Sequence, residues 1–143
     1  MRSKEYLLQI RKYDTMIHNK QAEVDHWKTV ACSTSTYSEG ERVQSSGNPH
    51  KMESAVDRYV DLQAEITADI DRYIDLKQKV IRTIENLPVA EYDILHKVYV
   101  QGLTFDEVAA IADRSYSWAT TVHGRALARL QRLLDERKEE KDE

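Results

Sequence analysis

The chain has 143 residues, a net charge of −4 and 32% charged residues, but only four Gly and two Pro. This composition favours long solvated helices and argues against a loop-rich or all-β fold. No apolar run approaches the roughly 18 residues that a membrane span needs, and the N-terminal segment has no apolar signal core. Because the single cysteine, Cys32, cannot form an internal disulfide, we expect a cytoplasmic protein.

Apolar residues in the first third of the chain recur at alternating intervals of four and three residues. This repeat predicts a helix from about Ser3 to Ala31, with the seam of a coiled coil along one face. The predicted seam has one polar member, Lys20. It consists of Tyr6, Ile10, Tyr13, Ile17, Lys20, Val24, Trp27 and Ala31.

A stretch rich in Ser, Thr and Gly follows, and it predicts a flexible loop over residues 32–49. Asn48 suits the N-cap of a second helix, which should end near Asn86 because Pro88 disfavours helical geometry at the preceding residue. The same repeat continues there, so residues 1–86 are predicted to form a long antiparallel coiled-coil hairpin. The second seam consists of Met52, Val56, Tyr59, Gln63, Ile66, Ile70, Tyr73, Lys77, Val80 and Ile84.

The second helix carries more apolar surface than one partner helix can cover. We therefore expect a homodimer through the N-terminal helices, most simply a four-helix bundle with two-fold symmetry. The alternative is that this surface packs against the C-terminal helices of the same chain. The additional apolar residues are Val60, Leu62, Ile74, Leu76 and Ile81.

Two shorter helices with distinct end signals are predicted after Pro88. The first covers Val89–Val100, and Gly102 marks its C-terminal end. Thr104 and Glu107 form a capping box that opens the second helix, in which Glu107 should reach back to the backbone amide of Thr104. The inward-facing residues of the two helices are predicted to be Ile94, Leu95, Val98, Tyr99, Val108, Ala109, Ile111 and Ala112.

A turn at Asp113 and Arg114 then leads to Ser115, a second N-cap, and to a final helix from Tyr116 through at least Leu134. A short helix, a tight turn and a longer helix with a basic face are the arrangement of a helix-turn-helix. The segment from Arg114 to Leu134 contains four arginines and no Asp or Glu, a net charge of +4, so the rest of the chain carries −8. A local basic stripe on an acidic protein predicts contacts with phosphates.

The final helix supplies the candidate contacts with double-stranded DNA. Outward residues of its first turns should contact base edges in the major groove: Tyr116, Ser117, Thr120 and Thr121. Residues placed for phosphate contacts are Arg114, Ser115, Arg125 and Arg129. Gly124 is unfavourable inside a helix, and close approach of another backbone would explain it. A charged tail over residues 137–143 ends the chain.

The segment from Leu87 to Leu130 resembles region 4 of bacterial sigma-70-type factors, the domain that binds the −35 promoter element. The shared landmarks are Leu87-Pro88, Ile94-Leu95, Tyr99, Gly102, the helix from Thr104 to Ile111, Ser115 and Arg125-Ala126-Leu127. This resemblance implies a DNA-binding domain over residues 87–136. The sequence departs from the family pattern at Asp113, where Gly is often found, and it contains none of the other sigma regions.

The whole chain is similar to small phage and prophage proteins of Gram-positive bacteria that join a long-helix half to such a domain. Late-gene transcription activators of the RinA and ArpU kind belong to this group. The resemblance implies a transcription regulator of phage or prophage origin, with activation of late genes as the expected role and host RNA polymerase as a candidate second partner.

The chain carries no catalytic motif and no zinc-ligand spacing among its five His and one Cys, so we expect no enzyme activity, cofactor or metal. Two alternatives to a promoter-binding regulator stay open. One is a phage small terminase subunit, which recognises packaging DNA and forms rings. The other is a coiled-coil adaptor that binds RNA polymerase without contacting bases.

Overall fold

The computed structural model describes residues 1–40 and 48–143, and in these ranges the chain is helical and contains no β-strand. The predicted all-α fold is confirmed. No helix of the described ranges combines the length and apolar content of a membrane span. The elements are α1 (Ser3–Gly40), α2 (Asn48–Ile84), α3 (Val89–Leu95), a π-helical turn (His96–Val100), α4 (Phe105–Ala112) and α5 (Tyr116–Asp142).

Helix α1 is longer than the sequence predicts. The flexible loop predicted from Cys32 onwards is wrong for residues 32–40, which are helical. Ser and Thr each disfavour a helix by about 0.7 kcal/mol or less relative to Ala, and Pro does not occur before Pro49. The predicted start of the second helix at Asn48 is confirmed, and the predicted loop over 41–47 lies outside the described residues.

The chain divides into two compact units. We call Tyr13–Tyr73 the central unit, and Met1–Lys12 together with Ile74–Glu143 the terminal unit. The first twelve residues therefore group with the C-terminal helices, whereas the sequence places a single domain boundary at Leu87.

In the central unit, α1 and α2 pack with Val24, Leu62 and Ile66 at their core. Lys20 pairs with Asp69, whereas Lys28, two turns later on α1, lies over the ring of Tyr59, which precedes Asp69 on α2. Contacts made further towards the C-terminus of α1 thus lie further towards the N-terminus of α2. The two segments therefore run in opposite directions.

Each member of the predicted seam of α1 is buried or half-buried. The predicted seam of α2 is partly wrong. Leu62 and Asp69 are buried, whereas their neighbours Gln63 and Ile70, which the prediction placed in the seam, are exposed. Asp69 tolerates this position because Lys20 on the facing helix donates a hydrogen bond to its carboxylate at 2.5 Å. The carboxylate in turn raises the pKa of the Lys20 ammonium group.

In the terminal unit, the start of α1 is held by polar contacts as well as by apolar burial. The backbone amide of Ser3 donates to the side chain of Gln131 at 2.7 Å. The buried hydroxyl of Thr83 donates to the carbonyl of Lys79, so it accepts from the hydroxyl of Tyr6 at 3.1 Å. The largest fully buried apolar residues of this unit are Leu7, Val80, Ile84, Ile94, Leu95, Val108 and Leu130.

Candidate nucleic-acid interface

The end signals around α4 behave largely as the sequence predicts. Gly102 adopts a left-handed conformation with a φ of 74° after the π turn, and the hydroxyl of Thr104 accepts a hydrogen bond from the amide of Glu107 at 3.2 Å. The second half of the predicted capping box is wrong. The Glu107 carboxylate accepts a hydrogen bond from the hydroxyl of Thr104 and not from the Thr104 amide. The same hydroxyl therefore accepts one hydrogen bond from Glu107 and donates another to it, as a hydroxyl can.

A three-residue turn, Asp113–Ser115, joins α4 to α5. Asp113 is left-handed, with a φ of 54° and a ψ of 47°, and this conformation lets Arg114 donate its amide to the carbonyl of Ala109 at 2.9 Å. Asp and Asn tolerate this region better than most residues. Ser115 caps α5 as predicted, since its hydroxyl accepts from the amide of Trp118 at 3.1 Å.

Side chains of small or moderate size are buried on α4 and α5 near the turn that joins these two helices. Ala109 on α4 is buried as predicted, and Ala119 and Val122 on α5 are buried as well. The inward position predicted for Ile111 is wrong, because this side chain is 60% exposed. The buried residues Val108 and Ala109 define the inner face of α4, and Ile111 lies to one side of it.

The four predicted base-contacting residues occupy different surroundings. Ser117 and Thr121 are exposed and lie one turn apart on α5. Tyr116 is exposed, and its ring meets the ring of Phe105 edge-on at 6.1 Å. Thr120 is half-buried, and its hydroxyl donates to the carbonyl of Ser117 at 3.0 Å. Ser117 and Thr121 are thus the two members that are exposed on the same side of α5.

The four predicted phosphate-contacting residues are all exposed. The guanidinium of Arg114 lies 5.9 Å from the ring centre of Trp118, and the hydroxyl of Ser115 can still donate while it caps α5. Arg125 follows Thr121 by one turn, so Ser117, Thr121 and Arg125 form a row. We call this row the outer face of α5.

Arg129 has a partner that the sequence did not reveal. Its Nε donates to Oε1 of Glu91 on α3 at 3.0 Å, and the Glu91 side chain is almost completely buried. Oε2 of Glu91 has no hydrogen-bond partner among the described residues. The predicted phosphate contact thus also joins α5 to α3. Nothing in the local sequence signals this pair, because 38 residues separate its members.

Gly124 lies on the exposed side of α5, between Thr121 and Arg125. A Cβ added there would meet no described atom within 4 Å. The sequence suggested that another backbone segment approaches this glycine closely, and no segment of the described residues does so. The outer face of α5 is open at this position.

Comparisons with protein-family models, curated proteins and solved structures found no match to this chain. No cluster of three or more metal-ligating side chains occurs among the described residues.

Proposed function

We propose that this protein is a sequence-specific, double-stranded DNA-binding transcription regulator, in which α4, the turn Asp113–Ser115 and α5 form a helix-turn-helix. The outer face of α5 is the observation that carries this proposal. It presents Ser117, Thr121 and Arg125 to solvent, and no carboxylate occurs between Arg114 and Leu134. A helix with such a face can enter the major groove without repelling the phosphates.

Each group on this face has chemistry suited to DNA. The hydroxyls of Ser117 and Thr121 can donate to or accept from base edges, and the Thr methyl group can contact thymine. Arg125, with Arg114 and Arg132 beside it in the same basic segment, supplies charge to the phosphates. The resemblance to sigma region 4 and to phage late-gene activators supports a promoter as the target and activation as the role.

The central unit supports a second part of the proposal, dimerisation of a coiled-coil hairpin built by α1 and α2. Met52, Val60 and Ile70 on α2 remain exposed in this unit. An apolar stripe of this kind favours a second helical surface. A second copy of the chain would supply that surface and a second helix-turn-helix for a two-fold site.

Arg125→Ala tests the DNA contact directly. We expect weaker binding to every DNA sequence, with the slope of log affinity against log salt reduced by about 0.9, because one fewer counterion is released. Fluorescence anisotropy with DNA selected from a random pool measures both quantities. Arg58→Ala, an exposed arginine on α2, is the matched control and should change neither. An unchanged slope for Arg125→Ala would favour the polymerase-binding adaptor.

Gly124→Ala should separate stability from DNA binding. The added methyl group meets open space and removes the helix penalty of Gly, so the free energy of unfolding should rise by up to about 1 kcal/mol. DNA affinity should fall, because the methyl group occupies the outer face. Urea unfolding and anisotropy on the same sample provide the two values. A more stable variant with unchanged DNA affinity would show that Gly124 does not lie at the DNA interface.

Ile70→Glu should convert the dimer to a monomer. Light scattering on the wild-type chain should give twice its mass of 16.6 kDa, and the variant should give the single mass because a charge replaces an apolar contact. Ala68→Glu is the control, since residues two apart on a helix face different sides and Ala68 is also exposed. A ring of eight or more chains would instead favour the small terminase subunit.

A further inference from the structure

A cavity of about 590 Å³ lies within the terminal unit. The start of α1 lines it from one side, and the π turn, the loop after it and parts of α4 and α5 line the rest. Its volume falls in the range of sites that bind small molecules, about 300–1,000 Å³. The sequence gives no hint of this cavity, because roughly 90 residues separate its two sides.

The charged groups that line the cavity are all basic. Lys4 and Arg11 on α1 contribute positive charges, and none of the described lining residues is Asp or Glu. Burial, with the charge of Lys4, lowers the pKa of His123 below its ordinary value, which favours the neutral imidazole. An anion would therefore enter a positive field that no lining carboxylate opposes.

Aromatic rings form one wall of the cavity. The ring of His123 stacks on Tyr99 at 5.7 Å between centres and meets Phe105 edge-on at 4.8 Å. The hydroxyl of Tyr99 lies 2.8 Å from Nε2 of His123, which holds the two rings in place. Tyr99 is buried behind this wall, so the half-buried rings of Phe105 and His123 are the ones that can contact an apolar ligand.

The π turn positions Arg11 at this wall. Gln101 donates its amide to His96, five residues back, at 3.0 Å, and Nη2 of Arg11 donates to the carbonyl of Val98 at 3.0 Å. The guanidinium lies 5.5 Å from the centre of the Tyr99 ring. These two contacts hold the guanidinium of Arg11 at the wall, and its remaining N–H groups can donate to an acceptor. Turns of this type occur frequently at functional sites.

We propose that this cavity binds a small organic anion with a planar apolar body. The anionic group lies between Lys4 and Arg11, and the planar body packs on the half-buried rings of Phe105 and His123. The hydroxyls of Thr104 and Thr120 already donate to protein acceptors, so they present only oxygen lone pairs and leave recognition of the charge to the two basic side chains. Anion binding at this cavity does not require that α5 contact DNA, although Thr120, a predicted base-contacting residue, is part of its lining.

The full-length chain and the fluorescent probe 8-anilinonaphthalene-1-sulfonate test the proposal. We expect saturable binding of one sulfonate per chain, and weaker binding of the uncharged analogue N-phenyl-1-naphthylamine. Lys4→Gln should weaken the sulfonate roughly tenfold and leave the uncharged analogue unchanged. Lys12→Gln is the matched control, because Lys12 is an exposed lysine of α1 that does not line the cavity.

A histidine titration followed by NMR locates the bound probe. The sulfonate should shift the ring signals of His123 and raise its pKa, because a nearby anion favours the charged imidazole. The signals of His18, His26 and His50 in or near the central unit serve as internal references. Equal affinity for the two probes, no effect of Lys4→Gln, or binding that leaves His123 unshifted would each overturn the proposal.

Discussion

Arg129→Ala should lower the free energy of unfolding by about 2 kcal/mol. Glu91 is only 6% exposed, and its Oε1 accepts a hydrogen bond from Arg129. Without Arg129, both carboxylate oxygens of Glu91 would be buried and unpaired. The expected loss lies below that of a fully buried pair, because the Arg129 side chain is 56% exposed and solvent weakens the interaction. Urea unfolding measures the change.

Two further variants separate this effect from DNA binding. Arg125→Ala removes a neighbouring arginine that belongs to the outer face, and its stability should stay within about 0.5 kcal/mol of wild type. Glu91→Met combined with Arg129→Met removes both charges and should recover most of the lost stability. If the Arg129→Ala and Arg125→Ala variants have the same free energy of unfolding, the pair with Glu91 does not stabilise the fold. The remaining role of Arg129 would then be its predicted phosphate contact.

Leu7→Ala should destabilise the terminal unit by about 3 kcal/mol, the usual range for a leucine truncated in a packed core. Leu7 is fully buried and belongs to the same compact unit as the C-terminal helices. In a Trp27→Phe background, Trp118 is the remaining tryptophan, so its fluorescence during urea unfolding follows this unit.

Ile111→Ala is the control for Leu7→Ala, because it shortens an exposed apolar side chain on α4. Its effect should stay within about 0.5 kcal/mol. A fragment that begins at Leu87 should fail to fold stably for the same reason, since it lacks Leu7, Val80 and Ile84. Equal stability of Leu7→Ala and Ile111→Ala would show that the start of α1 does not contribute to the core of the terminal unit.

The local signals of the C-terminal half predict structure well. Thr104, Ser115, Gly102 and Asp113 each occupy the helix end that the sequence assigns to them. Their hydrogen bonds reach partners within a few residues, so the information is contained in a short stretch of chain. The same reasoning predicts too long a loop after Ala31, because Ser and Thr only weakly disfavour a helix and α1 continues to Gly40.

The register of α2 shows where pattern alone fails. An apolar repeat favours Ile70 over Asp69 as a buried residue, since a carboxylate is costly to bury without a partner. The partner is Lys20, 49 residues earlier in the chain. Periodicity along one helix contains no information about the charge that faces it from another helix.

The helical class, the caps around α4 and α5 and the basic segment from Arg114 to Leu134 can be predicted without a structure, because they depend on neighbouring residues and on composition. Three other features became visible only in the folded chain: residues 1–12 complete the terminal unit, Arg129 pairs with Glu91, and Thr120 lines a basic cavity with Lys4. These features join residues that are distant in the chain. Their energies arise from burial and pairing, which exist only after the helices have packed.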